Sequence, residues 1–265
     1  MRCRTSRGKL TLLAALTLIL FTASQPGNAQ PLAPGRPRAP RSRPPTSRPA
    51  RPGRLRSLPL VEVPALLPAG AQRDEIAVLL TGDGGWAVTD RGLSRQLAQG
   101  GIPVVGWNSL RYFLFRKDPD RAARDLELIL RHYLDHWHKK RVILIGYSFG
   151  ADVMPFLAAR LPPDLAARIS LLALLGPSGR ADFRFHVTEL LGRDSKDSLP
   201  TLPELERLRG LPMLCVQGAE EKNSYCPKLT GGLATVLVRP GGHIIDKNYG
   251  PIAAWILGPR QASSD

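Results

Sequence analysis

A serine stands between two glycines in the segment Gly146-Tyr147-Ser148-Phe149-Gly150. Residues 141–145 before it are mostly apolar and β-branched, which is typical of a strand buried on both faces, and residues 151–160 are typical of a helix. A serine at the tip of a strand, tight turn and helix is the setting of a nucleophile elbow. The sequence therefore predicts Ser148 as a nucleophile, and the alternative is a turn whose serine only caps the helix.

A serine nucleophile needs a general base, and one histidine follows the last predicted strand: His243, in Arg239-Pro240-Gly241-Gly242-His243. In proteins with an elbow of this kind, the acid and the histidine follow the serine in that order along the chain. His186 comes before the last two predicted strands. We therefore predict His243 as the base, and the alternative is a loop histidine bonded to nearby backbone.

The acid that orients the histidine should follow the strand predicted at Met213–Gln217. The position where many hydrolases have an aspartate is occupied by Asn223. Asparagine can hold a histidine tautomer, but it cannot stabilise imidazolium by charge. We favour Glu221 as the acid. The alternatives left open are Glu220, Asn223 and Asp246.

Two backbone amides are candidates for stabilising an oxyanion. One belongs to Phe149, directly after the serine, and the other to Asp83 or Gly84 in the glycine-rich loop Thr81–Trp86. Glycine lets backbone approach a substrate closely. The alternative for this loop is an ordinary tight turn between a strand and a helix.

The pair His132/His136 has the i,i+4 spacing that could hold a metal, but no carboxylate stands between them as in H-E-x-x-H. A surface role is the better interpretation. The sequence predicts no metal site and no cofactor.

The formal charge of +15 first suggests nucleic-acid binding. Residues 1–56 hold 12 of the 37 Lys and Arg residues and no Asp or Glu, which leaves 25 basic against 22 acidic residues in the remainder. The folded part is nearly balanced, so we expect it to bind no nucleic acid.

Residues 1–29 have the pattern of a secretory signal peptide: four basic residues, the apolar run Leu10–Ala23, and small residues at Gly27-Asn28-Ala29. An uncleaved anchor is the alternative. Export predicts a periplasmic protein, in which Cys215 and Cys226 form a disulfide. The alternative is two buried thiols.

Residues 30–59 are rich in Pro and Arg and offer almost nothing to bury, so we expect a disordered linker, either a plain spacer or a segment attracted to anionic surfaces. Residues 60–260 alternate predicted strands and helices. That order predicts one α/β domain with a mostly parallel sheet, flanked by helices as in α/β-hydrolases, and a small or minimal cap near residues 183–208.

Four strings together resemble the bacterial VirJ/AcvB virulence-protein family over about residues 60–260. They are Leu80-Thr81-Gly82-Asp83-Gly84-Gly85-Trp86, Ser109-Leu110-Arg111-Tyr112-Phe113, Gly146–Phe156 and Gly241-Gly242-His243. The sequence departs from the family pattern at Asn223, where an aspartate is expected, and at Ile244, where a second histidine is expected.

The resemblance implies a periplasmic serine hydrolase. AcvB-like members remove lysine from lysyl-phosphatidylglycerol, and VirJ-like members are associated with type IV secretion. For a lysyl ester, Asp83 and Asp152 are candidates to pair with the substrate amines. The alternative for Asp152 is a carboxylate that only stabilises the start of the helix after the elbow. The alternative functions are a weakly catalytic adaptor for type IV secretion substrates, or an esterase or thioesterase acting on another acyl group.

Overall fold

The structure is a computed structural model that describes residues 53–184, 197–243 and 247–259. All of these belong to the unit Pro49–Asp265, and the second unit, Met1–Arg48, lies outside the described residues. The predicted signal peptide and residues 30–52 of the predicted linker therefore lie outside the description.

A seven-stranded sheet forms the centre of the domain, in the order β1-β3-β2-β4-β5-β8-β9. The strands are parallel except β1, which pairs antiparallel with β3 at one edge. Both faces of the central strands are buried, which explains their continuous apolar sequences. The strands are β1 Leu60–Val63, β2 Glu75–Leu80, β3 Val104–Trp107, β4 Arg141–Tyr147, β5 Ile169–Leu175, β6 Arg180–Ala181, β7 Leu199–Pro200, β8 Met213–Gly218 and β9 Thr235–Arg239.

Helices cover both faces of this sheet, as the alternating sequence pattern predicts. The helices are α1 Gly53–Arg56, α2 Val88–Gln99, α3 Ser109–Tyr112, α4 Pro119–His136, α5 Phe149–Ala158, α6 Pro163–Ala166, α7 Leu202–Arg207 and α8 Gly250–Leu257. Side chains of α4 and α5 fill one core cluster, and side chains of α2 and α8 fill the other. The fold class predicted from the sequence is confirmed.

The end of the predicted linker is part of the folded domain, which corrects the boundary at residue 60. Helix α1 buries Leu55 to 1% exposure, and Leu58 is also buried. Arg54 Nε donates to Asp125 Oδ1 at 2.6 Å, and this carboxylate raises the pKa of the guanidinium. Two leucines and one arginine are enough to attach this segment to α4, although its composition resembles the linker.

Helix α2 begins at Val88, and Asp90 is its third residue. Its Oδ2 accepts a hydrogen bond from the Ala87 amide at 3.0 Å. The acidic residue satisfies a free amide at the helix start, from the third helical position.

Cys215 on β8 and Cys226 in the 3-10 turn Cys226–Leu229 form a disulfide, with Cα atoms 5.5 Å apart. Strands β6 and β7 pair as a two-stranded ribbon, followed by α7. Strand β7 and helix α7 lie in the region predicted as a small cap, and β6 precedes that region. Residues 185–196 of the region lie outside the described residues. Within the described ranges, no helix combines the length and apolar character needed to cross a membrane.

Candidate active site

Ser148 lies at a sharp turn between β4 and α5 and has φ 51° and ψ −118°. This positive φ is rare for a residue with a side chain, and it marks a strained position held by its surroundings. A Cβ added at Gly146 would overlap the Gly150 carbonyl, and one added at Gly150 would overlap the Leu80 carbonyl. Both glycines are therefore required by the close packing of the turn.

The hydroxyl of Ser148 faces a histidine and does not cap the helix. Ser148 Oγ lies 2.8 Å from His243 Nε2, and its side chain makes no capping hydrogen bond. With the proton of the neutral ring on Nδ1, Nε2 accepts from the hydroxyl. Ser148 and His243, 95 residues apart, are thus brought together.

Glu221 completes a hydrogen-bonded chain with these two residues. Its Oε1 lies 2.6 Å from His243 Nδ1, and its Oε2 accepts from the Gly218 amide at 3.3 Å. The Glu221 side chain is 9% exposed, whereas that of His243 is 50% exposed. The carboxylate therefore has a fixed, largely dry position against the ring.

The other candidates for the acid are placed differently. Glu220 is exposed, and its backbone amide donates to the Gly241 carbonyl at 2.9 Å. Asn223 is also exposed and lines the pocket beside the histidine. Asp246 lies outside the described residues. Among the described candidates, Glu221 is the one in contact with His243.

The loop after β2 lies against Ser148 and is anchored by a buried network. A Cβ on Gly82 would lie 3.3 Å from Ser148 Cβ. Thr81 Oγ1 accepts from the Ser109 amide at 3.0 Å, and the Ser109 hydroxyl donates to the Gly82 carbonyl. These bonds fix the loop against the start of α3.

Of the two predicted donors in this loop, Asp83 fits better than Gly84. The Gly84 amide already donates to Asp83 Oδ1 at 2.9 Å. The Asp83 amide has no hydrogen bond to any of the residues described here. The predicted donor outside this loop, the Phe149 amide, directly follows Ser148 at the first residue of α5.

Asp152 has a different role from the one predicted. Its carboxylate is 5% exposed and accepts from the amides of Ser178 and Gly179 and from the Ser178 hydroxyl, at 2.8–3.1 Å. Burial raises its pKa to about 7. Both oxygens hold the loop after β5, so the structure corrects the prediction that they bind a substrate amine.

A pocket of about 390 Å³ opens beside His243. Its lining includes Glu221, Lys222 and Asn223 from the loop after β8, and residues 176–178 from the loop held by Asp152. Lys222 is exposed and brings a positive charge to this pocket. Sequence reasoning missed it because a single lysine in a polar loop carries no distinguishing signal.

The aromatic residues at the end of β3 and shortly after it divide between core and surface. Trp107 and Phe113 are fully buried, and Phe115 is 73% exposed.

The His132 and His136 rings stack 5.5 Å apart on α4. In the described part of the chain, no group of three His, Cys, Asp or Glu side chains could hold a metal ion.

The arrangement has the parts needed for nucleophilic acyl transfer: a hydroxyl bonded to a histidine, a carboxylate bonded to the far side of the ring, and amides beside the hydroxyl. The order Ser148, Glu221, His243 along the chain is that of the α/β-hydrolase arrangement.

Solved structures with this fold include MenH from S. aureus, with 15% identity, a TM-score of 0.55, and coverage of 75% of this chain and 96% of that one. An alpha-beta serine hydrolase homologue from Coxiella burnetii has 16% identity, a TM-score of 0.51, and coverage of 75% and 89%. Est1E from Butyrivibrio proteoclasticus has 13% identity, a TM-score of 0.52, and coverage of 75% and 90%. At these identities the likeness establishes the fold alone.

A search of curated proteins finds no match. The sequence model of the bacterial virulence protein (VirJ) family matches residues 74–263, which include the elbow serine, the histidine and the glutamate of the hydrogen-bonded chain. Because this match spans well over half of the sequence, the chain belongs to the bacterial virulence protein (VirJ) family.

Proposed function

We propose that this protein is a periplasmic serine esterase that removes the aminoacyl group from an aminoacylated phospholipid of the lysyl-phosphatidylglycerol type. The observation that carries the catalytic part is the continuous hydrogen-bonded chain Ser148–His243–Glu221, with separations of 2.8 and 2.6 Å. The buried Cys215–Cys226 disulfide is compatible with export from the cytoplasm.

In the first half of the reaction, Ser148 Oγ attacks the aminoacyl carbonyl and His243 Nε2 takes the hydroxyl proton. The Glu221 carboxylate accepts a hydrogen bond from the Nδ1–H group of His243 and stabilises the imidazolium that forms. The Asp83 and Phe149 amides donate to the oxyanion of the tetrahedral intermediate. The imidazolium then gives its proton to the departing glycerol oxygen, and the ester bond breaks.

In the second half, water enters the position left by the alcohol. His243 Nε2 takes a proton from the water as its oxygen attacks the aminoacyl ester of Ser148. Collapse of the intermediate returns the proton to Ser148 Oγ and releases the free amino acid. The chain's own residues supply every proton transfer, and water is the only other reactant.

The charges around the serine favour a substrate with a cationic acyl group and an anionic leaving group. The leaving oxygen must lie within reach of His243, so the pocket beside this histidine is the leaving-group side. Lys222 in that pocket can pair with the lipid phosphate. Asp83 is exposed on the oxyanion loop, where its carboxylate can pair with a lysyl amine.

Two other functions were open from the sequence. The adaptor for type IV secretion substrates rests on Asn223 in the usual acid position, and the contact between Glu221 and His243 removes that reason. An esterase or thioesterase for another acyl group uses the same catalytic residues. It differs only in what Asp83 and Lys222 contact.

The test is release of free lysine from lysyl-phosphatidylglycerol vesicles by the purified protein, with Ser148→Ala as the matched control. Phosphatidylglycerol, a neutral p-nitrophenyl ester and an acyl thioester complete the panel. We expect lysine release that Ser148→Ala abolishes. Hydrolysis of the other esters without lysine release would contradict the proposed lipid substrate but would agree with a serine esterase. Equal lysine release by Ser148→Ala would overturn the catalytic proposal.

A further inference from the structure

Three large apolar side chains stand exposed within one short segment that follows β3. Leu110 is 40% exposed, Leu114 57% and Phe115 73%. The cations Arg111, Arg116 and Lys117 lie among and directly after them. We call residues 110–117 the 110–117 segment. Neighbouring exposed apolar side chains on a folded domain are typical of an interaction surface.

The segment lies at the carboxyl ends of the parallel strands, as Ser148 does. Strands β2, β3 and β4 are parallel, so the residues after Leu80, Trp107 and Tyr147 emerge together. Ser148 follows β4 directly, and the 110–117 segment begins three residues after β3. A surface in contact with Leu114 and Phe115 would therefore lie on the active-site side of the domain.

Direct contacts join the segment to both parts of the oxyanion site. Directly before the segment, Ser109 bonds to Thr81 and to the Gly82 carbonyl. Within it, the ring of Phe113 packs edge-on against that of Phe149, with centroids 5.1 Å apart. The exposed side chains are thus carried by a base that is rigidly packed against the catalytic loops.

The composition of the segment matches the interface of an anionic bilayer. Leucine and phenylalanine enter the acyl boundary, while arginine and lysine remain at the level of anionic headgroups. Arg116 pairs with Asp197 at 2.8 Å, but both side chains are more than half exposed, so the cation stays at the surface. Lys117 Nζ lies 5.2 Å from the centre of the Tyr112 ring, at the base of the segment.

We propose that the 110–117 segment docks the domain on an anionic lipid bilayer, with Leu114 and Phe115 inserted at the headgroup boundary, so that a lipid ester reaches Ser148 without leaving the membrane. The lipid nature of the substrate rests on the proposed function. The docking itself does not, because it can be measured without catalysis.

The test is binding of the chain without its predicted signal peptide, residues 30–265, to vesicles of phosphatidylglycerol and phosphatidylcholine, measured by co-sedimentation, against vesicles of phosphatidylcholine alone. The test variant is Leu114→Ser/Phe115→Ser. The matched control is Leu66→Ser, because Leu66 is also exposed, to 62%. It follows β1, which runs antiparallel to β3, so Leu66 lies at the amino ends of the parallel strands, away from Ser148. All proteins carry the same basic N-terminal residues, so the comparison isolates the segment.

We expect the double variant to bind anionic vesicles at least tenfold more weakly than the parent, and Leu66→Ser to bind like the parent. The double variant should keep the parent's melting temperature and its rate on a water-soluble ester. Ser148→Ala should bind vesicles fully while being inactive, which separates failure of docking from failure of catalysis.

A second readout follows insertion directly. An environment-sensitive dye on Phe115→Cys, in the chain without its predicted signal peptide, should shift its emission to the blue on anionic vesicles, and the same dye on Leu66→Cys should not. Parent-like binding by the double variant, or equal dye shifts at both sites, would overturn the proposal. A double variant that loses self-association instead of vesicle binding would assign the segment to a contact between copies of the chain.

Discussion

Glu221 Oε1 lies 2.6 Å from His243 Nδ1, on the side of the ring opposite Ser148. The second Glu221 oxygen accepts from the Gly218 amide at the end of β8, so the carboxylate is held by the strand from which its loop emerges. This contact orients the ring and gives it a partner when it becomes cationic.

Glu221→Gln should lower kcat on any ester substrate by about 10²- to 10⁴-fold with little change in KM. An amide nitrogen facing Nδ1 favours the tautomer whose Nε2 carries a proton and cannot accept from Ser148. The measurement is steady-state hydrolysis of a water-soluble ester. Glu220→Gln is the matched control and should behave like the parent, since Glu220 is exposed on the same loop. Equal losses in the two variants would contradict the assignment.

The Cys215–Cys226 disulfide encloses the loop that carries Glu221, with a sequence separation of 11 residues. Closing a loop of this length contributes about 3 kcal/mol to stability in the chain-entropy description. Cys215→Ala/Cys226→Ala should therefore lower the free energy of unfolding by roughly that amount. It should also reduce kcat below the melting temperature, because the Glu221 loop loses one anchor. Denaturant unfolding and ester kinetics are the readouts, and parent-like values in both would contradict the account.

Two buried carboxyl groups predict how stability varies with pH. Burial raises the pKa of Asp152 to about 7 and that of Asp90 to about 6, from an ordinary value of 3.8. Between about pH 4 and 7 the folded state keeps protons that the unfolded chain has released. Stability should therefore fall as pH rises, by about 1.4 kcal/mol per pH unit for each group that remains protonated.

Urea unfolding from pH 4 to 8 checks this slope. Asp152→Asn should flatten the slope near pH 6–7, and it should also lower stability at every pH because its amide nitrogen would face the Ser178 and Gly179 donors. A variant with the parent's pH dependence would show that Asp152 titrates normally.

The charges near the serine predict a division of substrate contacts. Asp83→Asn should raise KM for lysyl-phosphatidylglycerol about 3- to 10-fold and leave a neutral ester unaffected, because the ion pair is partly exposed. Lys222→Gln should raise KM to a similar degree for phosphate-bearing substrates alone. Kinetics on paired substrates, lysyl lipid against neutral ester, measure both effects. An equal rise in KM on the neutral ester would show that these two side chains do not recognise the charges of the substrate.

The fold and the sharp turn that carries Ser148 could be predicted from the sequence because their signals are local. The apolar run of β4, the glycines two positions either side of Ser148, and the following helix each report a short-range steric requirement. His243 could be identified from chain order, since one histidine followed the last strand.

The partners of side chains could not be predicted in the same way. Glu220 and Glu221 are adjacent in sequence, and only the path of the loop, tied by Glu220 N to the Gly241 carbonyl, determines which carboxylate reaches His243. Asp152 looks like a substrate contact on a helix beside the serine, but the loop after β5 folds over it and takes both oxygens. Helix α1 could not be predicted because two apolar residues in a Pro- and Arg-rich segment give no periodic pattern.

The central claim is that Ser148 is an activated nucleophile, and reaction with a fluorophosphonate probe tests it most directly. Intact mass and peptide mapping should find one probe per chain, bound at Ser148, in the parent protein. Labelling should be absent in Ser148→Ala and strongly slowed in His243→Ala, whereas Glu220→Gln should label like the parent. A folded, disulfide-bonded parent protein that remains unlabelled, or that is labelled equally in His243→Ala, would contradict the account.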